Sequence, residues 1–220
     1  AVDGAQLPFP ASAAVTISDA SKRVVTLPQL EELQSYCHQT APTEAEASVG
    51  EVLDRVRGLA SEAAGAGLSY AELAGSTPSE PVWLTLVSES CALKSFVGCL
   101  RTHAIARGLS PSTLHWVQPF AFRGDATDTK AVVFERVASV AKGVLVVVDE
   151  EARPVATDAW CNYALLRGFG ICAGPNKPAA TLSIDFATVT EGNPQVLEHR
   201  DRGGVHSEDG FPTTVLAKLL

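Results

Sequence analysis

The chain has 220 residues, of which 46% are hydrophobic and 19% are charged. This composition excludes an intrinsically disordered protein and is typical of one large domain or two small ones. The formal net charge of −8 argues against a protein that binds nucleic acid or an anionic membrane through general electrostatics. No apolar run reaches the roughly 18–20 residues that a membrane span needs, so no span is expected.

Two residue types bear on the origin of the chain. Methionine is absent, including at position 1, which predicts a processed product or a fragment, consistent with removal of a targeting segment. The five cysteines are widely spaced and form no C-x-x-C pair. We therefore expect mostly buried, reduced thiols in a reducing compartment or organelle.

The first third of the chain is acidic and has helical patterns. Residues 1–80 contain 11 acidic and 4 basic side chains. The first 20 residues are rich in Ala, Ser and Pro, and we expect an extended arm that lies on a partner. Three capping-box pairs predict the starts of three helices. These pairs are Thr26 with Gln29, Thr43 with Glu46, and Ser69 with Glu72.

The second predicted helix has a stripe of apolar residues at helical spacing. The stripe consists of Val49, Val52, Leu53, Val56, Leu59, Ala60 and Ala63. Such a patch must be covered, either by residues 81–220 or by a partner. We favour a protein partner, because the two prolines of segment 77–81 are typical of a joint. The predicted partner-binding residues are Val49, Val52, Leu53, Val56 and Leu59.

From residue 81 onward, predicted strands alternate with predicted helices. The expected strands are 82–87, 114–122, 144–148 and 181–189, and the expected helices are 90–107, 128–142, 160–167 and 211–220. The strand 144–148 is apolar on both faces, as in the centre of a parallel sheet. The alternation predicts a doubly wound, mainly parallel open α/β sheet of the flavodoxin-like type. This domain spans 81–220 and follows the arm and helical segment of 1–80.

The known motifs for nucleotide and metal chemistry are missing. There is no P-loop, and the glycines of 168–174 follow a predicted helix, whereas a dinucleotide fingerprint follows a strand. His199 and His206 lie in a predicted polar loop with three acidic residues. One interpretation is that these side chains bind a divalent ion, and the alternative is a solvated loop without a ligand. We assign no catalytic, cofactor-binding or metal-binding residue.

Polar residues also follow two predicted strands at the carboxyl edge of the sheet, where ligands of open α/β sheets bind. We interpret residues 88–90 as a strand-to-helix turn with Ser90 as the helix N-cap. Residues 149–151 are three consecutive carboxylates. We interpret them as a solvated loop, with contact to a cation or a basic partner as the alternative.

Two stretches resemble a known family. The first stretch has a valine strand, then an irregular loop, then Trp160-Cys161 at a predicted helix start. This order is similar to that of a Toll/interleukin-1-receptor (TIR) domain, which has W-C-x-x-E at the helix start. The stretch from Phe96 to Leu109 resembles F-V-x-C-L-x-x-H-A-x-x-R-G-L, a motif of TIR-like domains common in algal proteins. The resemblance covers about residues 81–220 and implies a TIR-like fold with Trp160 buried beside the central strand.

The same resemblance bears on activity. Active TIR enzymes cleave NAD with the glutamate of W-C-x-x-E, and Ala164 stands at that position. Alanine has no carboxylate with which to stabilise an oxocarbenium-like centre, and Glu89 and Asp149 are the nearest substitutes. The resemblance therefore implies a subunit for protein interaction or structure within a larger assembly, without a cofactor. The alternative is an NAD-cleaving or nucleotide-binding enzyme or sensor.

Overall fold

The computed structural model describes residues 14–40, 46–64, 67–123, 130–148, 183–190, 193–201 and 204–207. The helices are α1 (Leu27–Thr40), α2 (Val49–Ala64), α3 (Tyr70–Leu73), α4 (Leu93–Arg107), α5 (Gln118–Ala121) and α6 (Lys130–Val140), preceded by a 3-10 turn at Ala20–Lys22. The strands are β1 (Trp83–Leu86), β2 (His115–Val117), β3 (Gly143–Val148), β4 (Ser183–Thr190), β5 (Asn193–Asp201) and β6 (Gly204–Ser207).

These six strands form one open sheet in the order β2-β1-β3-β4-β5-β6. The first four strands in that order are parallel, and β5 and β6 are antiparallel additions at one side. Strand β3 lies between β1 and β4, and its residues 144–147 are at most 1% exposed. The predicted α/β class and the central place of this valine strand are therefore confirmed.

Both faces of the parallel strands are packed. One face shares a core with α1 to α4, which includes Phe96 and Leu100 of α4 and Leu145 and Val147 of β3. On the other face, Trp116 of β2 is fully buried, and its ring meets that of Phe134 in α6 edge-on, with centroids 5.7 Å apart. Strand β3 is thus covered on both sides, as its apolar sequence on both faces predicts.

The apolar stripe of α2 belongs to the same core. Val49, Val52, Leu53 and Val56 are at most 1% exposed, and Leu59 is half-buried. The stripe thus docks within the chain, the first of the two arrangements that the sequence left open. The assignment of these residues to a partner surface is wrong for the four buried ones, because a partner cannot reach them in the folded chain.

The arm before α1 also lies on the chain itself. The amide of Val15 donates to the carbonyl of Glu72 (3.0 Å), and the amide of Ile17 donates to Glu72 Oε1 (2.7 Å). Val25 forms an antiparallel bridge with His115 of β2, through hydrogen bonds of 2.8 and 2.9 Å. Residues 15–17 of the expected arm are therefore held on the chain itself, contact of the arm with a partner stays a prediction, and residues 1–13 lie outside the described ranges.

Some element boundaries differ from the predicted ones for local reasons. The helix expected from Thr43 begins at Val49, where Ser48 and Glu51 form the capping pair, and Thr43 lies outside the described ranges. The strand expected over 114–122 stops at Val117 and continues as the single turn α5. Pro119 explains that change, because proline cannot donate a ladder hydrogen bond and suits the first turn of a helix. The helices expected at 160–167 and 211–220 lie outside the described ranges.

Three cysteines fall within the described ranges. Cys37, Cys91 and Cys99 are buried and form no disulfide, as expected for structural thiols. Burial raises the pKa of Cys99 to about 12, so its thiol stays protonated. Among the described helices, none combines the length and the hydrophobicity that a membrane crossing requires.

Candidate functional site

The carboxyl edge of the parallel strands is the first candidate site, since ligands of open α/β sheets bind there. After β1 the chain forms a tight turn in which Cys91 N donates to Ser88 O (3.0 Å) and the hydroxyls of Ser88 and Ser90 lie 2.7 Å apart. Ser90 is not the N-cap of α4, because that position is Ala92, which makes no side-chain cap. Glu89 is exposed at this turn. Residues 149–151 lie outside the described ranges.

The amino end of α2 is bonded to this turn. Val49 N donates to Cys91 O and Gly50 N donates to Glu89 O, both at 2.8 Å. A β-carbon at position 50 would lie 3.3 Å from the Glu89 carbonyl oxygen, which is tighter than most packed contacts. Glycine at this position therefore permits the close approach of the helix to the turn.

The next two amides of α2 also have protein acceptors. Glu51 N donates to Ser48 Oγ (3.3 Å) and Val52 N donates to Ser48 O (3.0 Å). The carboxylate of Glu51 accepts in return from the amide and hydroxyl of Ser48, both at 2.8 Å. All four amides at this helix start are thus satisfied, so α2 offers no free donors to an anionic ligand.

A buried cluster of charged groups joins α4 to β4 near the amino edge of the sheet. Asp185 is fully buried and accepts from His103 Nε2 (2.8 Å) and Arg107 Nε (2.7 Å), with a further short contact from Arg107 Nη2. Burial alone would raise the pKa of Asp185. The hydrogen bonds from His103 and Arg107 outweigh burial and hold the pKa below its usual value. The carboxylate is therefore an ionised anchor between two elements.

Trp83 and Gly143 complete the surroundings of this cluster. The His103 ring meets the Trp83 ring edge-on with centroids 4.4 Å apart, and the Arg107 guanidinium lies 5.8 Å from the Trp83 ring centroid. A β-carbon at Gly143 would lie 2.3 Å from a Trp83 ring atom, so the indole occupies the space that a larger residue would need. His103 and Asp185 are fully buried in this cluster, and the side chain of Arg107 is 21% exposed and closes it toward the surface. A charged network held between two elements in this way is typical of a structural role.

His115 is the second buried imidazole near His103. Its Nδ1 lies 3.0 Å from Thr85 Oγ1, and its ring centroid lies 6.3 Å from that of His103. Burial, and to a lesser extent the neighbouring His103, lowers the pKa of His115 to about 3. A neutral, fully packed imidazole of this kind supports the sheet.

A second buried charge centre attaches the N-terminal segment. Glu72 is fully buried and forms a capping box with Ser69, the N-cap of α3. Its carboxylate also accepts from Arg123 Nε (3.0 Å) and Nη2 (2.5 Å). Arg23, 1% exposed, lies 3.6 Å from the same carboxylate and donates to Ile17 O (2.9 Å). Burial of Glu72 is outweighed by these hydrogen bonds, which lower its pKa to about 2.

Other residues that the sequence singled out are placed as follows. His199 and His206 lie on β5 and β6, so the predicted polar loop is replaced by paired strands. Within the described ranges, no three His, Cys, Asp or Glu residues come together as a metal-binding group. Trp160 and Ala164 lie outside those ranges. The sequence did not identify Asp185 and Arg107 as partners, although a charged residue inside an apolar strand requires one.

Comparison of this chain with family models, with curated proteins and with solved structures found no match.

Proposed function

We propose that the chain is a non-catalytic protein-interaction or structural subunit built on a divergent TIR-like domain. The parallel strands follow the order β2-β1-β3-β4, which is the order of the doubly wound, flavodoxin-like sheet through its first four strands. This order supports the fold part of the proposal, with the antiparallel β5 and β6 as an addition.

The observation that best supports a non-catalytic role is the bonding of α2 to the turn after β1. In an open α/β enzyme, this turn and the adjoining helix start supply donors and polar side chains to a ligand. Here the first amides of α2 donate to the carbonyls of Cys91 and Glu89. Two backbone carbonyls of the turn are thus used to attach the N-terminal segment.

The residues that match the TIR-like motif in α4 support the same role. Phe96, Val97, Cys99 and Leu100 are at most 1% exposed and lie in the core. The later matches end in His103 and Arg107, which anchor Asp185, and in a glycine at position 108 with φ of 59° that ends the helix. The matched positions therefore serve packing and helix termination. At the position where the resemblance expects the glutamate of W-C-x-x-E, the chain has Ala164.

The surface for a partner must lie outside the buried stripe of α2. In the described part of the chain, the most exposed large apolar side chains are Ile105 of α4 at 77% and Val132 of α6 at 55%. Substitution of either by lysine leaves the core unchanged. Such variants separate partner loss from unfolding.

The test is the state of the chain in its source cells. Tagged chain should be recovered in an assembly much larger than 23.1 kDa with a partner at fixed stoichiometry. Ile105→Lys or Val132→Lys should release the partner at unchanged thermal stability, and Lys94→Gln on the exposed side of α4 is the matched control. Recovery of the chain alone as a 23.1 kDa species would reject the proposal.

The second candidate function is NAD cleavage, which the exposed Glu89 at the end of β1 favours. Purified chain is incubated with NAD, and nicotinamide release is followed. The proposal expects no turnover from the unsubstituted chain. Turnover that Glu89→Gln abolishes and Glu80→Gln preserves would establish a relocated catalytic carboxylate and overturn the non-catalytic role.

A further inference from the structure

His115 of β2 takes part both in the core and in the attachment of the arm. Its backbone bridges Val25, and each of the two amides donates to the carbonyl of the other residue, at 2.8 and 2.9 Å. Its imidazole is 2% exposed, with Nδ1 at 3.0 Å from Thr85 Oγ1 of β1. Val25 is itself 1% exposed and lies at the free side of β2. We therefore expect the ring to reach water by the side of β2 that this bridge closes.

The surroundings of the imidazole do not stabilise a positive charge. Thr85 of β1 is neutral, and the arm presents an apolar residue at the bridge. From α4, the ring of His103 lies 6.3 Å away, measured between centroids. The charged groups beyond it are Asp185 and Arg107, which are bonded to each other, and Asp185 also accepts from His103. In the described ranges, no carboxylate forms an ion pair with His115, so a proton on this ring would lack a counter-charge in contact with it.

We propose that the Val25–His115 bridge is sensitive to pH: protonation of His115 moves its ring out of the core, opens the bridge and uncovers the outer backbone groups of β2. Burial, with a smaller effect of His103, lowers the pKa of His115 to about 3 from an ordinary value of 6.5. The ring is thus neutral in the closed bridge and takes up a proton in the open one below pH 6.5, which favours opening. The inference is independent of the proposed function, because it concerns only the arm, β2 and α4.

The rest of the arm has a separate attachment. The amide of Ile17 donates to Glu72 Oε1 (2.7 Å), and Trp116 Nε1 donates to the carbonyl of Ala20 (2.8 Å). Neither contact includes an imidazole. Glu72 has an ordinary pKa of 4.5, so above about pH 5.5 its carboxylate is almost fully ionised whether or not this contact is formed. The amide of Ile17 is therefore an internal reference for openings of the arm that do not involve His115.

The experiment is hydrogen exchange of backbone amides in the full chain, followed by NMR at about pH 6.5 and about pH 5.5 and corrected for intrinsic exchange rates. Protection of the Val25 and His115 amides should fall by roughly fivefold, the ratio expected for uptake of one proton by an imidazole of ordinary pKa. Protection of the Ile17 amide should stay the same. At both pH values, the bridge amides should be less protected than the amide of Leu145 in β3, because the bridge opens without global unfolding.

A variant tests the assignment to His115. His115→Gln should remove the pH dependence of the Val25 amide, whereas His38→Gln, at an exposed position of α1, should retain it. Circular dichroism verifies that both variants are folded. Retention of the pH dependence in folded His115→Gln overturns the proposal.

The comparisons within the unsubstituted chain apply even where His115→Gln does not fold. Equal protection of the bridge amides and of Leu145 would mean that only global unfolding exposes His115, and it overturns the proposal. The same holds if protection of the bridge amides does not change between the two pH values, or if protection of the Ile17 amide changes equally.

Discussion

Glu72 and Arg123 are 51 residues apart in the sequence and form a buried, two-point ion pair, with hydrogen bonds of 2.5 and 3.0 Å. The same carboxylate caps α3 and accepts from the amide of Ile17. One side chain therefore connects the arm, a helix start and the segment after α5. The attachment of the N-terminal segment depends on the charge of Glu72.

Glu72→Gln should lower the free energy of unfolding by about 3–5 kcal/mol, the cost of removing one partner from a buried ion pair. Glutamine keeps the size of the side chain but removes the charge that Arg23 and Arg123 face. Urea denaturation measures the change. Glu80→Gln, at an exposed position, should cost less than about 0.5 kcal/mol. Equal effects from the two substitutions would show that the pair is not an anchor.

Gly143→Ala should destabilise the chain by about 1–3 kcal/mol, the usual cost of overpacking. The added β-carbon would lie 2.3 Å from the Trp83 ring, and a buried indole cannot move aside freely. Gly58→Ala is the matched control, because no atom lies within 4 Å of its added β-carbon and its site is an exposed position in α2. That substitution should stabilise by about 0.5–1 kcal/mol through helix propensity. Thermal unfolding of both variants should give shifts of opposite sign.

Acidification should lower stability in two successive ranges. His115 has a pKa of about 3 in the folded chain and an ordinary value of 6.5, so unfolding takes up a proton between these values. Its contribution is complete above pH 6.5 and is lost as the pH falls toward 3, by at most about 1.4 kcal/mol per pH unit. Glu72 contributes above its ordinary pKa of 4.5, and that contribution is lost toward its folded value of about 2.

Urea unfolding at a series of pH values separates the two ranges. His115→Gln should flatten the dependence between about pH 6.5 and about pH 5.5, where Glu72 is almost fully ionised in both states. His38→Gln, on the exposed side of α1, should keep the slope of the unsubstituted chain. If His115→Gln does not change the slope of the free energy of unfolding against pH in the upper range, another group titrates there.

Leu53→Ala should lower the free energy of unfolding by about 2–5 kcal/mol, because this side chain of α2 is 1% exposed. Leu59→Ala, at a half-buried position of the same stripe, should cost clearly less. Chemical denaturation of the two variants gives the comparison. If the stripe were a partner surface, both variants would keep their stability and release the partner instead.

Local patterns predicted the helical segment and the parallel core of the sheet. The valine run of β3 favours a buried central strand, and the pair Ser69 and Glu72 favours a helix start. Each of these patterns lies within a few neighbouring residues. The partner of the α2 stripe was not predictable in the same way, because an apolar face requires burial but does not specify which surface covers it. Pairing over long sequence distances decides that question.

The antiparallel strands β5 and β6 were missed for a related reason. Residues 193–201 include a proline and several charged side chains, and they lack the apolar alternation that indicates a strand. Residues 193–201 form a strand because they pair with β4 in an antiparallel ladder, and the local sequence does not show this pairing. The Asp185 cluster was predictable in principle. A carboxylate in an apolar strand needs a cationic or hydrogen-bonding partner, and His103 and Arg107 lie one helical turn apart on the same side of α4.

The bridge between Val25 and His115 covers backbone groups at the free side of β2, the outermost parallel strand. Unpaired edge strands recruit strands from other molecules and lead to aggregation. Removal of the arm should therefore increase self-association through β2, even where the helices stay folded. The arm before α1 thus occupies a backbone position at which another strand would otherwise be able to pair.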